Sequence, residues 1–145
     1  MSITVNEYEM KDLIIGCTES FDHEISIEME DLFRILSGDI NTLHYDDEYA
    51  TGIRGDGFKQ HVSFGMLTAS LYSTLVGVYL PGKYSLIHSI DIKFLKPVYA
   101  GDWLTVSGTI IDKSDELKLI VIRAQIINQN DQCVSKSNIK VLLLK

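Results

Sequence analysis

The sequence predicts an α+β domain in which a buried helix lies against one face of an antiparallel sheet. Three observations lead there. Residues 63–79 are apolar nearly all the way round, the mark of a buried helix. Downstream, Leu86, His88, Ile90, Ile92 and Phe94, then Leu104, Val106, Gly108 and Ile110, keep the period of two that belongs to strands. Turn-forming runs at Lys113-Ser114-Asp115 and Asn128-Gln129-Asn130-Asp131 then separate the last three strands, as expected for antiparallel neighbours. Helix and sheet each carry an apolar face, and packing them together buries both.

The 145 residues are read as one domain, 1–145, with a formal net charge of −7. A chain of this size buries roughly 68–70% of its unfolded surface, enough for a proper core. The acidic balance argues against non-specific nucleic-acid binding, which needs Lys and Arg to neutralise phosphates. No apolar run reaches the roughly 20 residues that span a bilayer. The start of the chain is acidic and lacks a basic-then-apolar leader, so the expected location is the cytoplasm. Cys17 and Cys133 are isolated and read as two reduced, partly buried thiols.

In chain order, residues 11–16 form a short lead-in ending in a turn, and residues 18–25 a strand of mixed faces carrying His23 at the surface. Ser26 caps the helix that follows, with Glu28 and Glu30 at its positive end. Met29, Leu32, Phe33 and Leu36 make its apolar stripe, and Gly38 stops it. Residues 45–62 are polar. They read as a helical turn round Tyr49-Ala50 and then a mobile loop, and the acidic group Asp46, Asp47 and Glu48 reads as solvated surface. In the buried helix, Met66, Ser70, Ser73 and Gly77 fall on one mostly small face, suited to close approach of another element or to a ligand. Pro81-Gly82 ends that helix. Residues 117–127 are apolar on both faces for much of their length, as in a central strand. Ile139, Val141 and Leu143 are in phase in the last strand, 133–144.

The chemistry concentrates in Ser37-Gly38-Asp39-Ile40-Asn41-Thr42-Leu43-His44. A carboxylate, an amide and an imidazole are presented on a turn at a helix end. Asp39 and Asn41 fit the first two ligand positions of an EF-hand, but Leu43, His44 and Ala50 occupy places that need an oxygen ligand, a glycine and a bidentate glutamate. A transition-metal site would need more ligands than one His and one Asp. Two readings stay open on the residues alone. Asp39 and Asn41 satisfy turn amides, or Asp39 and His44 do general acid–base work.

The stretch from Phe33 through Ser37-Gly38-Asp39, Asn41 and His44 to Ala50 resembles the signature of the MaoC-like (R)-specific enoyl-CoA hydratases and acyl dehydratases. Gly65-Met66-Leu67 with Ser70 and Ser73, then Leu80-Pro81-Gly82, are similar to that family's central helix and its end. Phe94-Leu95-Lys96-Pro97-Val98 with Gly101-Asp102 is similar to a later family motif, and Tyr8 through Gly16 to its usual start. Thr42 stands in place of a usual proline. Phe64 replaces a histidine that commonly precedes the Gly-Met pair, which bears on the mouth of the pocket and the choice of substrate.

The resemblance implies a hot-dog fold, a long central helix wrapped by a curled antiparallel sheet, as a homodimer. It implies (R)-specific hydration of trans-2-enoyl thioesters, or the reverse dehydration, on a CoA or acyl-carrier-protein substrate, with no cofactor and no metal. Asp39 and His44 would hold and activate a water, and the Gly65 N–H would stabilise the thioester enolate. Asn41 would orient the turn or the water. Ser73 matches a family position that helps to place the pair; on spacing alone it reads equally as a small helix-packing residue. Binding the anionic CoA or an acidic carrier calls for basic groups, for which Arg54, Lys83, Lys93 and Lys96 are the candidates. A hot-dog thioesterase and a non-catalytic thioester-binding subunit are the competing functions.

Overall fold

The structure is a computed structural model and describes residues 2–55 and 57–145. Five strands make one antiparallel sheet: β1 (Thr18–Glu24), β2 (Ser85–Phe94), β3 (Trp103–Ser114), β4 (Leu119–Ile127) and β5 (Cys133–Leu143), in the order β1-β3-β4-β5-β2. β4 lies in the middle, as its apolar character on both faces predicts. Leu104, Val106 and Ile110 of β3, Ile120, Ile122 and Ile126 of β4, and Ile139 and Val141 of β5 are fully buried on one face. Their alternation is the period-two pattern of the sequence made into a core.

Over that face lies α3 (Gly65–Thr74), which widens into a π-helical turn at Leu75–Tyr79. Leu67, Leu71, Tyr72, Leu75 and Val76 point into the sheet. Gly108 leaves room for Leu75 of that turn: a Cβ there would stand 2.8 Å from Leu75 Cδ2 and 2.9 Å from Ile122 Cγ2. One polar tie crosses the core: the Tyr72 hydroxyl donates to Ser135 Oγ at 2.8 Å. Burial holds the Tyr72 phenol up at about 12, so it stays a neutral donor.

Before α3 come α1 (Ile27–Ser37), a 3-10 turn at Thr42–His44 and α2 (Asp47–Gly52). Ser26 caps α1 by accepting the Met29 N–H, and Gly38 ends it in the left-handed region at φ 73°. Asp46 caps α2 through the Tyr49 N–H. Asp56, in the loop that follows, lies outside the described residues.

Three expectations are corrected. The central helix begins at Gly65 rather than residue 63 and is not buried all round: Met66, Ser70 and Ser73 are exposed. In α1, Leu32 and Leu36 are 67% and 83% exposed, while Met29 and Phe33 are half-buried and Glu30 is buried. A helical stripe says which residues share a face, not which face the rest of the chain covers; here the covered line runs through Glu30. Finally, β2 is mostly exposed, because it is an edge strand with a register shift between Ile87 and Ser89. Among the described residues no helix is long and apolar enough to cross a membrane.

Candidate active site

The end of α1 sets up a chain of local hydrogen bonds that shapes the turn. Ser37 Oγ donates to the Phe33 carbonyl and accepts the Asp39 N–H. Asp39 Oδ1 then accepts the Asn41 N–H at 3.1 Å, and Asn41 Oδ1 accepts the Leu43 N–H at 3.0 Å. Each short polar side chain thus satisfies a backbone donor two residues on. The turn forms with Thr42 in the place of proline because Asn41 caps it. Asn41 is therefore an organiser of the turn.

The same bonds leave Asp39 Oδ2 free, and it lies 3.8 Å from His44 Nε2. The other ring nitrogen, Nδ1, is 2.8 Å from the Val62 carbonyl oxygen. A carbonyl only accepts, so Nδ1 carries a proton, and in the neutral ring Nε2 presents its lone pair towards Asp39. At 3.8 Å the two groups are too far apart for a direct hydrogen bond. They are well placed to share one water about 2.8 Å from each. Behind the imidazole stands Phe64, fully buried, with its ring centroid 4.3 Å from that of His44 and 4.9 Å from Phe33. Phe64 thus backs the imidazole instead of shaping the pocket mouth, where the sequence reading places its influence.

His44 opens on a cavity of about 290 Å³ whose wall includes Gly65, Ser63, Thr68, Phe58, Phe94 and Val134. Gly65 is the first residue of α3, so its N–H has no acceptor within the helix and bonds to no other described residue. A positive helix end with a free N–H therefore faces the cavity that His44 lines. The Ser63 and Thr68 hydroxyls are buried there without partners among the described residues. Sequence reading missed both; their only signal was position, Ser63 just before Phe64-Gly65 and Thr68 in the first turn of the helix that follows. Asp39 stays at the rim, with its side chain 46% exposed. Ser73 is not brought to the pair: it lies on the exposed face of α3.

The four basic candidates do not form one patch. Lys96 lines the cavity, and Arg54 lies over the ring of Phe58, another wall residue. Lys83 is paired with Glu7 at 3.0 Å. Lys93 belongs to a separate groove of about 660 Å³ on the outer face of the sheet, with Arg123 and Lys136. β2 ends at Phe94 and Lys96 lies in the connection beyond it, so closeness in sequence did not mean one surface. That larger groove touches none of Asp39, His44 or Gly65.

A curled antiparallel sheet wrapped round one helix is the hot-dog fold. The solved R-hydratase PhaJ1 of Pseudomonas aeruginosa superposes with a TM-score of 0.87 at 25% identity, covering 96% of this chain and 87% of that one. The (R)-hydratase of Aeromonas caviae gives 0.84 at 26% identity, covering 92% and 98%. In sequence, the chain is 33% identical over 97 residues to the (R)-specific enoyl-CoA hydratase of Aeromonas caviae, 67% of this chain and 70% of that one. It is 32% identical over 96 residues to the 3-hydroxybutyryl-CoA dehydratase of Methylorubrum extorquens, 66% and 59%. The MaoC-like domain matches residues 17–130. The chain belongs to the MaoC-like family, and is an enzyme of the hydratase–dehydratase class.

Proposed function

We propose that this enzyme adds water across the double bond of trans-2-enoyl thioesters to give (R)-3-hydroxyacyl thioesters, and catalyses the reverse elimination, with Asp39 and His44 as the catalytic pair. The observation that carries the reading is the 3.8 Å approach of Asp39 Oδ2 and His44 Nε2, each the free atom of its group.

The chemistry follows from those atoms. Asp39 Oδ2 and His44 Nε2 hold one water. As its oxygen bonds to the β-carbon, one of its protons passes to the pair, and a proton from the pair is delivered to the α-carbon. The double bond's electron pair moves towards the thioester carbonyl on the way, so negative charge builds on that oxygen. The free N–H of Gly65, reinforced by the helix end, is the donor placed to hold it.

The substrate is a CoA or acyl-carrier-protein thioester, with Lys96 and Arg54 as the basic groups near the cavity. The acting unit is a homodimer built on the open edge of β2. That edge exposes Leu86, Ile87, Ile90 and Phe94, and α3 exposes Met66 beside Ser70 and Ser73. An apolar, unpaired edge strand is a ready surface for a second copy.

The test is hydration of crotonyl-CoA followed at the thioester absorbance, with chiral analysis of the product. Wild type should form the (R)-3-hydroxy product, and Asp39→Asn and His44→Ala should each lower turnover by about 10²–10⁴-fold while keeping the wild-type circular dichroism. Wild-type turnover in either variant would overturn the assignment. Release of free thiol from a saturated acyl-CoA, without hydration of the enoyl substrate, would make the protein a thioesterase.

A further inference from the structure

The imidazole of His61 is held on both sides by carboxylates. Its Nε2 lies 2.9 Å from Glu30 Oε1 and its Nδ1 2.6 Å from Asp47 Oδ1. Its backbone N–H also donates to Asp47 Oδ1, at 2.8 Å. Three separate elements meet in this clamp: α1 through Glu30, α2 through Asp47, and the segment leading into α3 through His61 itself. The side chains of Glu30 and His61 are only 2% and 13% exposed.

The clamp has a neighbour that matters. The residue after His61 is Val62, whose carbonyl accepts the hydrogen bond from His44 Nδ1–H. One turn along α1 from Glu30, Arg34 reaches the His44 carbonyl with Nη2 at 3.4 Å. The inner line of α1 therefore holds both pieces of backbone that orient the His44 ring, Glu30 by way of His61 and Arg34 directly.

We propose that His61 is a positioning residue for His44: clamped by Glu30 and Asp47 as an imidazolium, it fixes the Val62 carbonyl that sets the His44 tautomer, and loses that grip on deprotonation. The proposal rests on the reading of His44 as a catalytic group.

The physical reason lies in counting donors. An imidazolium has two N–H groups, one for each carboxylate. A neutral ring has one, so a lone pair must then face a carboxylate oxygen and that side of the clamp opens. The charged groups on the elements packed here are Glu28, Glu30, Asp31 and Arg34 of α1, Asp46, Asp47 and Glu48 by α2, and Lys59 on the His61 segment; Glu30 and Asp47 are the two in contact with the ring. Burial alone pulls the His61 pKa down, but the hydrogen bonds and charges of Glu30 and Asp47 outweigh it and hold it above the ordinary value. The Glu30–His61–Asp47 line is a bridge, not a metal cage; among the described residues no cluster is arranged to hold an ion.

The experiment uses the full chain with ¹⁵N-labelled histidine, comparing wild type, His61→Gln and Asp47→Ala. In wild type the neutral His44 ring should be almost wholly the Nδ1–H tautomer. In His61→Gln the ring nitrogens should show mixed tautomers. Turnover of crotonyl-CoA should fall about 10- to 100-fold and KM should move by less than about threefold; wild-type turnover should fall on the alkaline side as His61 deprotonates, and that fall should be missing from the variant. Asp47→Ala, a change at an exposed side chain that keeps the fold, should shift tautomer and turnover in the same direction and decides the matter if His61→Gln does not fold. Unchanged tautomer and pH profile in the folded variants would overturn the proposal. If His44→Ala instead kept its turnover, the catalytic reading would fall, while the tautomer measurement would still decide whether His61 orients the ring.

Discussion

Gly65 lies against the ring of Phe94 so closely that a Cβ on it would stand 3.3 Å from Phe94 Cε1. The helix N-terminus and the cavity wall thus meet at a residue with no side chain, which leaves the Gly65 N–H accessible. Proline suits the first position of a helix, because the N–H it lacks is one the helix does not use. Phe64, at φ −65° and ψ 127°, already has the extended conformation that a residue before proline prefers. Gly65→Pro should therefore fold and lose about 2.7–4 kcal/mol of transition-state stabilisation. Gly65→Ala, which keeps the N–H and adds similar bulk beside Phe94, is the control. Equal turnover in the two would remove Gly65 from the mechanism.

Ile90 is 40% exposed on the open edge of β2. A lysine there is the kind of residue that keeps edges apart. Wild type should elute with light-scattering mass twice that of the 16.3 kDa chain, and Ile90→Lys at the single-chain mass. A wild type that is monomeric at micromolar concentration would contradict the dimer.

The Tyr72–Ser135 hydrogen bond is sealed in the core, with both residues at 0% exposure. Removing either hydroxyl leaves the other without its partner, at a cost of about 1–3 kcal/mol. Tyr72→Phe and Ser135→Ala should each destabilise by that amount in urea titrations. The double variant should be more stable than the sum of the two predicts, because it leaves no orphan. Additive losses would show that the two hydroxyls do not depend on each other.

The clamp on His61 gives stability a pH window. His61 has a pKa raised in the folded state above the ordinary 6.5, so its contribution is complete below that value and is lost as pH rises through the folded one. Asp47 is shifted the opposite way, held below the ordinary 3.8 by the backbone N–H of His61 first and its ring second. Its contribution is complete above 3.8 and is lost as pH falls through the lowered value. The difference in unfolding temperature between wild type and His61→Gln should therefore be widest between about pH 4 and 6.5 and shrink on either side. A difference that is flat with pH would mean the clamp carries no charge.

Much of this was legible in the chain because it is local. Ser26 and Gly38 bound α1 through hydrogen bonds and dihedrals that neighbouring residues settle between themselves. The Asp39–Asn41–Leu43 turn closes with bonds spanning two residues, so its shape, and with it the free oxygen of Asp39, follows from residue order. The strands declared themselves by alternation, and β4 by being apolar on both sides.

What depended on the assembled molecule is what distant elements do to one another. Glu30 reads as a helix-end charge and Asp47 as a solvated acid, yet both close on His61, 31 and 14 residues away. Leu32 and Leu36 look like core and face outward, since the rest of the fold meets α1 along Glu30 and Arg34 instead. Lys93 and Lys96, near neighbours in the chain, end on different surfaces. Periodicity assigns residues to faces; only the packing of one face against another decides which are buried, and therefore which charges must find partners.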